Sequence, residues 1–246
     1  GSGVPASDRL AQGGHYVVDS LSRDPVTGVT VLVALCSTLW RPDRARLVIA
    51  LGILLELAYI LRIGGDFMSG RFFTAVFFTS TVLLVRLPRP NRSMVAAAWV
   101  GVVALALLGN PKESLRSHGI VDERSFYKPY THLVPILRGE TRVEDHRWAL
   151  RGFEARSAGV THGGTPAVGI AGFYSGPSVH VVDYVGLADP LLARLPVNPG
   201  PWRIGHFERT RPKGYVATLR VGENRIEHPQ LAEYYDSLVL VTQGPL

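Results

Sequence analysis

A carboxylate and two guanidinium groups flank a glycine-rich stretch near residue 65. Asp66 follows Gly64 and Gly65, Arg62 precedes them, and Arg71 comes five residues after Asp66. An arginine can bind a phosphate group through two parallel hydrogen bonds, and a nearby carboxylate can orient or deprotonate a hydroxyl group. Alternatively, Asp66 forms an ion pair with Arg62 or Arg71 that caps helix ends, and the spacing alone favours this second interpretation.

A second group of polar residues lies further along the chain. Asp183 ends a β-like run, and Asp189 precedes Pro190 at a predicted helix start. This strand–loop–helix pattern is where α/β domains place ligand contacts. Asp183, Asp189 and His206 are therefore candidate substrate-binding residues. The alternatives are an edge carboxylate for Asp183 and a plain helix N-cap for Asp189, and for Asp189 we favour the N-cap.

The histidine spacing does not indicate a metal site. The chain has 8 histidines, but they form none of the tight HxH or HxxxH pairs that are typical of structural zinc sites. We therefore assign no cofactor, and a requirement for a divalent metal stays open. The net charge is +6, yet no basic stripe interleaved with aromatic residues predicts nucleic-acid binding.

The elements that must position these residues fall into two compositional regions. Apolar residues make up 46% of the 246 residues, and the most apolar runs lie before residue 110. A helix of about 20 apolar residues can cross a bilayer. Four runs therefore predict four transmembrane helices, with Glu56 facing a partner or a cavity inside the second. The predicted spans are 22–40, 46–63, 72–87 and 93–109.

Arginine-rich turns at 40–46 and 86–92 predict the topology. Positively charged turns stay in the cytoplasm, so the segments before and after the four helices are expected outside. The predicted regions are an external interfacial segment at 1–21, a transmembrane region at 22–109 and an extracytoplasmic domain at 110–246. We expect the last boundary at Asn110-Pro111. A first segment outside the membrane must be carried across by an earlier membrane span or by a signal sequence, so the chain is expected to be the C-terminal part of a larger protein.

The pattern of the last region predicts a mixed α/β domain. Two short Val- and Ile-rich runs bounded by glycine or proline are β-like, at 165–176 and 177–186. Helical spacing or helix start signals occur at 129–140, 145–159, 212–224 and 228–240. The predicted fold class is thus a membrane α-helical region followed by an extracytoplasmic mixed α/β domain.

Five segments carry a resemblance: GVPASDRLAQGGHYVVDSL (3–21), RIGGDFMSGRFF (62–73), GFYSGPSVHVVDYVGLADPLLARLP (172–196), WRIGHFERTRPKGYVATL (202–219) and HPQLAEYYDSLVLVTQGPL (228–246). Together they resemble the C-terminal part of one family, the actinobacterial GT-C membrane arabinofuranosyltransferases. The similarity extends over essentially the whole chain, and the GGDFM-x-GRF stretch is fairly specific to polyprenyl-phosphate-dependent GT-C enzymes and their relatives.

The resemblance implies a glycosyltransferase at the bacterial plasma membrane, with its C-terminal domain on the periplasmic side. The implied partners are a decaprenyl-phospho-arabinofuranose donor, an arabinan acceptor of arabinogalactan or lipoarabinomannan, and the lipid bilayer. It also implies that the family's catalytic carboxylates precede Gly1, in an N-terminal portion of the same protein. Asp66 is then a tentative catalytic residue, and Arg62 and Arg71 are donor-binding candidates. The alternatives are a membrane-anchored carbohydrate-binding or scaffold module, and a GT-C relative that uses another sugar.

Overall fold

The computed structural model describes residues 3–40, 42–87, 91–108, 118–165 and 168–244. The chain divides into two compact units, which we call the N-terminal unit (Val4–Phe126) and the C-terminal unit (Tyr127–Leu246). Each unit is described by itself. The boundary predicted at Asn110-Pro111 lies outside the described residues.

Helices make up most of the N-terminal unit. They are α1 (Ala6–Arg23), α2 (Pro25–Trp40), α3 (Arg44–Ile63), α4 (Phe73–Val85) and α5 (Arg92–Leu108). Local chemistry sets the ends of α3. The Asp43 carboxylate accepts a hydrogen bond from the Arg46 N–H at 3.0 Å and so caps its start. Gly64, with φ of 92°, ends the helix in the left-handed conformation that favours glycine.

The core of the N-terminal unit is formed by one face of α1 to α4 and by Ile120. Helix α1 packs on α3, α2 on α4, and α3 on α4. The contact between α1 and α3 is close because Gly13 has no side chain; a Cβ there would overlap the backbone of Leu61. This contact brings α1 against the end of α3, where the glycine-rich turn begins.

The prediction of four transmembrane helices is wrong. Helices α2, α4 and α5 have 16, 13 and 17 residues. At 1.5 Å per residue these reach about 20–26 Å, against about 30 Å of hydrocarbon in a bilayer. Helix α3 has 20 residues but includes four charged side chains, Arg44, Arg46, Glu56 and Arg62. In the part of the chain that the structure describes, no helix combines the length and the apolar character needed to span a membrane.

The C-terminal unit surrounds a two-stranded parallel sheet with short helices. The helices are α6 (Glu123–Thr131), in which the division between the units falls, α7 (Leu133–Leu137), α8 (Arg147–Ser157), α9 (Val168–Ser175), α10 (Tyr215–Val221) and α11 (Pro229–Gln243). The strands are β1 (His162–Thr165) and β2 (His180–Asp183), paired with His162 opposite His180 and Thr165 opposite Asp183. The core includes Leu191, Leu192 and Tyr215.

The sheet differs from the strands predicted by sequence. The run 165–176 was expected to be β-like; Thr165 does end strand β1, but Val168–Ser175 form helix α9, which packs on α8. A short apolar run is compatible with either a buried strand or a buried helix. Strand β1, in contrast, contains Gly163 and Gly164. Glycine is depleted in strands, so the sequence did not predict a strand there. Gly164 is needed because the Tyr184 hydroxyl occupies the place where a Cβ would lie.

Candidate functional site

The candidate site is the turn between α3 and α4. Gly64 and Gly65 both have positive φ, at 92° and 67°, and they reverse the chain immediately after α3. A Cβ on Gly65 would overlap the ring of Tyr16, which is fully buried. The two glycines therefore let the backbone lie directly on α1, and this places Asp66 inside the unit.

Asp66 is a buried carboxylate, with 3% of its surface exposed. Its Oδ2 lies 2.6 Å from Nε of Arg71, in an ion pair that lacks the alignment of a hydrogen bond. The backbone N–H groups of Phe67 and Met68 donate hydrogen bonds to the carboxylate. Burial nevertheless raises the pKa of Asp66, against the lowering effects of Arg71 and of these N–H groups. Asp66 is thus a more basic carboxylate than a solvated one.

Arg71 is held on one side and open on the other. Its guanidinium lies 5.5 Å from the ring centre of Phe67 and 5.2 Å from that of Phe72, both within the range of cation–π attraction. Nearly half of its side chain, 47%, remains exposed. Two aromatic rings and one carboxylate therefore fix the direction of a guanidinium that solvent, or an anion, can reach.

Three side chains of α1 bind the turn. The hydrogen bonds are from Ser69 Oγ to Asp19 Oδ2 (2.7 Å), from the Gly70 N–H to Ser20 Oγ (3.1 Å) and from the Phe72 N–H to the Tyr16 hydroxyl (3.0 Å). Burial raises the pKa of Tyr16, and the charge of Asp66 adds to this, so the phenol stays protonated. The sequence analysis missed these residues; their only signal is that Tyr16, Asp19 and Ser20 share one helix face.

The segment 118–122 lies along the other edge of the turn. The Ser69 N–H donates to the Val121 carbonyl at 3.0 Å, and the Val121 N–H donates to the Phe67 carbonyl at 2.8 Å. These bonds pair the turn with an extended strand-like segment whose Ile120 is fully buried. The turn is therefore fixed on both sides.

The ion pair of Asp66 is with Arg71 rather than with Arg62. Arg62 lies exposed in the last turn of α3. Its predicted contact with a donor stays a prediction. Glu56, further back on α3, is half-buried.

The carboxylates of Asp183 and Asp189 are buried in the C-terminal unit and are bound by backbone donors. Asp183 accepts hydrogen bonds from the N–H groups of Val185, Leu187 and Ala188, at 3.0, 2.7 and 2.8 Å. Asp189 accepts from the Leu191 and Leu192 N–H groups and from the Tyr215 hydroxyl, all at 2.8–3.0 Å. Both carboxylates hold their own loops in shape, and their predicted contact with substrate stays a prediction.

His206 lies in the C-terminal unit and is half-buried. Burial lowers its pKa, and the nearby charge of Arg203 adds to the lowering. Within the described residues, no group of three or more His, Cys, Asp or Glu side chains is arranged to hold a metal ion.

A cleft of about 680 Å³ lies in the C-terminal unit, between the segments 195–199, 210–213 and 227–231. Its size falls within the usual range for small-ligand sites, about 300–1,000 Å³. More than half of its lining residues are proline, leucine or valine, and Asn198 and Lys213 are among the polar ones. The sequence analysis did not identify this cleft.

Comparison with known proteins relates the chain to the glycosyltransferases. Two curated relatives align with it, one from Mycobacterium tuberculosis (26% identical, 66% of this chain) and one from Corynebacterium glutamicum (24% identical, 80% of this chain). Both are named terminal β-(1→2)-arabinofuranosyltransferase, so the resemblance seen in the sequence is confirmed. The alignments cover 35% and 38% of these relatives, so the chain spans little more than a third of their length. No protein-family model and no solved structure matches the chain.

Proposed function

We propose that the chain forms part of a polyprenyl-phosphate-dependent arabinofuranosyltransferase of the GT-C class, which adds arabinofuranose to a cell-wall arabinan. The observation that supports this most is the pair formed by buried Asp66 and half-exposed Arg71 in the N-terminal unit. The similarity to two proteins named as arabinofuranosyltransferases supports the sugar and the reaction type. A polyprenyl chain is held in lipid, so the proposal places the reaction at the surface of the plasma membrane.

In the proposed reaction, Arg71 binds the phosphate of the lipid-linked donor. The acceptor oxygen forms a bond to C1 of the arabinofuranose, and the bond between C1 and the phosphate oxygen breaks with both electrons leaving on the phosphate. The acceptor hydroxyl gives its proton to a carboxylate. Because a guanidinium stabilises the negative charge that grows on the leaving phosphate, Arg71 lowers the barrier as well as binding the donor.

Asp66 has two parts in this proposal. Its charge holds the guanidinium of Arg71 in place, and its Oδ2 accepts no aligned hydrogen bond within the described residues. This oxygen is buried, so it can accept a hydrogen bond from the acceptor hydroxyl only where binding of the acceptor opens the turn. In this proposal Asp66 orients the acceptor hydroxyl and the guanidinium of Arg71 rather than acting as the sole base.

Transfer from a labelled polyprenyl-phospho-arabinose donor, catalysed by the protein that contains this chain, tests the proposal. Arg71→Ala should weaken donor binding by about 1.5–3 kcal/mol, the effect of losing a charged hydrogen bond. Arg71→Lys should retain part of it, because lysine supplies the charge without the planar fork. Asp66→Asn should lower kcat more than it raises the donor KM.

Arg44→Ala is the matched control, because Arg44 is exposed at the opposite end of α3. It should leave donor KM and kcat unchanged. If Arg71→Ala and Asp66→Asn lower the melting temperature but leave the kinetics of the folded protein at the wild-type level, the pair is only a structural cap and the proposal fails.

The second candidate function is a carbohydrate-binding module without chemistry of its own. The cleft in the C-terminal unit favours it, because apolar walls with a few polar groups suit a small ligand. Titration with a short arabinan oligosaccharide distinguishes the two functions. Binding that is lost in Lys213→Ala but not in Arg220→Ala, an exposed control on α10, supports the module if the protein transfers no sugar.

A further inference from the structure

We infer that Tyr16, Asp19 and Ser20 on α1 are positioning residues for Arg71. The inference rests on the proposed function, in which Arg71 is the group that binds the donor phosphate. The three side chains act on the backbone and side chains beside Arg71, not on the donor. Their effect is to hold the guanidinium where the phosphate arrives.

The bonds from α1 bracket Arg71 on both sides. The Gly70 N–H, directly before Arg71, donates to Ser20 Oγ at 3.1 Å, and the Phe72 N–H, directly after it, donates to the Tyr16 hydroxyl at 3.0 Å. The Phe72 N–H belongs to the peptide group directly after Arg71, and the Gly70 N–H belongs to the Ser69–Gly70 peptide group, one position before the group that precedes Arg71, so the backbone is tied to one helix on both sides of Arg71. This restricts the backbone rotations of Arg71 and with them the direction of its side chain.

Asp19 adds a third contact and is itself held in place. Its Oδ2 accepts a hydrogen bond from Ser69 Oγ at 2.7 Å, and its Oδ1 accepts one from Arg23 Nε at 3.0 Å. The positions 16, 19 and 20 lie on one face of a helix because they are spaced by three and four residues. One helix face thus binds three of the four residues from 69 to 72 and leaves the Arg71 side chain half-exposed.

Packing already holds α1 in the unit without these bonds. Gly13 lies against the Leu61 backbone, and the ring of Tyr16 is fully buried against Gly65. The three hydrogen bonds from α1 are only partly buried, where a hydrogen bond adds a modest net stability, so we assign their value to geometry. A site needs its reactive groups within about 0.5 Å of the productive position, which is the precision that two bracketing hydrogen bonds supply.

Two conservative variants remove the bonds and keep the packing: Tyr16→Phe retains the ring, and Ser20→Ala retains the small side chain. Each should lower kcat/KM for the donor about 5–10-fold, through a higher donor KM and a lower kcat, because one neutral hydrogen bond beside Arg71 is lost and Arg71 both binds the donor and stabilises the leaving phosphate. Ser20→Thr, which restores a hydroxyl, should recover most of the donor affinity. Ser22→Ala is the control, since Ser22 is exposed on the same helix and its hydroxyl donates to the Asp19 carbonyl of that helix.

A second measurement does not depend on catalysis. With ¹⁵N-labelled arginine, the Nε–H resonance of Arg71 is assigned by its loss in Arg71→Lys. Its exchange with water should be faster in Tyr16→Phe and Ser20→Ala than in the wild type, and unchanged in Ser22→Ala. Unchanged exchange together with an unchanged kcat/KM for the donor would overturn the inference. Faster exchange in a protein that transfers no sugar would support the positioning role and instead refute the proposed function.

Discussion

Adding one methyl group at Gly65 should destabilise the N-terminal unit by about 2–5 kcal/mol. Gly65 has a φ of 67°, and holding an alanine in the left-handed region costs about 1–2 kcal/mol. The new Cβ would also overlap Cβ and Cγ of Tyr16, a side chain with no exposed surface. Forcing extra atoms into a packed core costs a further ~1–3 kcal/mol.

Gly70→Ala separates these two effects. Gly70 also has a positive φ, of 74°, but its Cβ would meet no atom within 4 Å. Gly70→Ala should therefore lower the free energy of unfolding by only about 1–2 kcal/mol, the cost of the backbone conformation. The difference between the two variants, about 1–3 kcal/mol, measures the contact between the turn and α1.

Urea unfolding and thermal unfolding of both variants provide the measurement. A loss of 1 kcal/mol lowers the melting temperature of a chain of this size by about 2–4 °C. Equal losses for Gly65→Ala and Gly70→Ala would show that the turn does not rest on Tyr16, and the structural account of the site would then be refuted.

Three further predictions concern titrating or hydrogen-bonded groups. Burial raises the pKa of Asp66, so ionisation of this carboxyl lowers the stability of the folded protein as pH rises above the ordinary carboxyl pKa. At pH 7, Asp66→Asn should therefore be at least as stable as the wild type, although it should transfer sugar more slowly. A clear loss of stability would contradict this. His146 accepts a hydrogen bond from the Trp148 N–H, and burial lowers its pKa. The contribution of neutral His146 to the free energy of unfolding should therefore be fully present above pH ~6.5 and decrease below it, by at most about 1.4 kcal/mol per pH unit. His146→Asn, which can still cap the helix, should flatten that pH profile, measured by urea unfolding between pH 5 and 8. Tyr215→Phe removes the hydroxyl that donates to the buried Asp189 carboxylate and should cost about 1.5–3 kcal/mol, whereas an unchanged unfolding midpoint would contradict the role of this bond.

The bounds of α2 to α5 follow from the sequence to within three residues at each end, but the predicted membrane-spanning role does not hold. Apolar runs mark where α2 to α5 lie. The third run was expected over 72–87, whereas α4 has 13 residues, Phe73–Val85. Hydropathy is summed over a window, while a helix ends where local groups cap it, as Asp43 and Gly64 do for α3.

The core of the candidate site was only partly predictable. The spacing of Asp66 and Arg71 across a glycine-rich turn was compatible both with an ion pair and with a phosphate-binding role for Arg71, and the ion pair is present. The contacts with α1 join residues about 50 positions apart. No local pattern contains such pairings, because they depend on how closely α1 approaches the end of α3.

The C-terminal unit shows a different limit. Asp189 has a proline after it, which is a recognisable helix-start signal, and it does accept backbone N–H groups. The glycines of β1 gave no strand signal, since the need for Gly164 comes from Tyr184, twenty residues further on.

Binding of a polyprenyl phosphate that lacks the sugar tests the central claim, that Arg71 binds the donor phosphate. Competition with the labelled donor gives its affinity for the wild type, Arg71→Ala and the Arg44→Ala control. Arg71→Ala should bind polyprenyl phosphate about 10–100-fold more weakly, while Arg44→Ala should bind it as the wild type does. Equal affinity in wild type and Arg71→Ala, with both proteins folded, would contradict the claim.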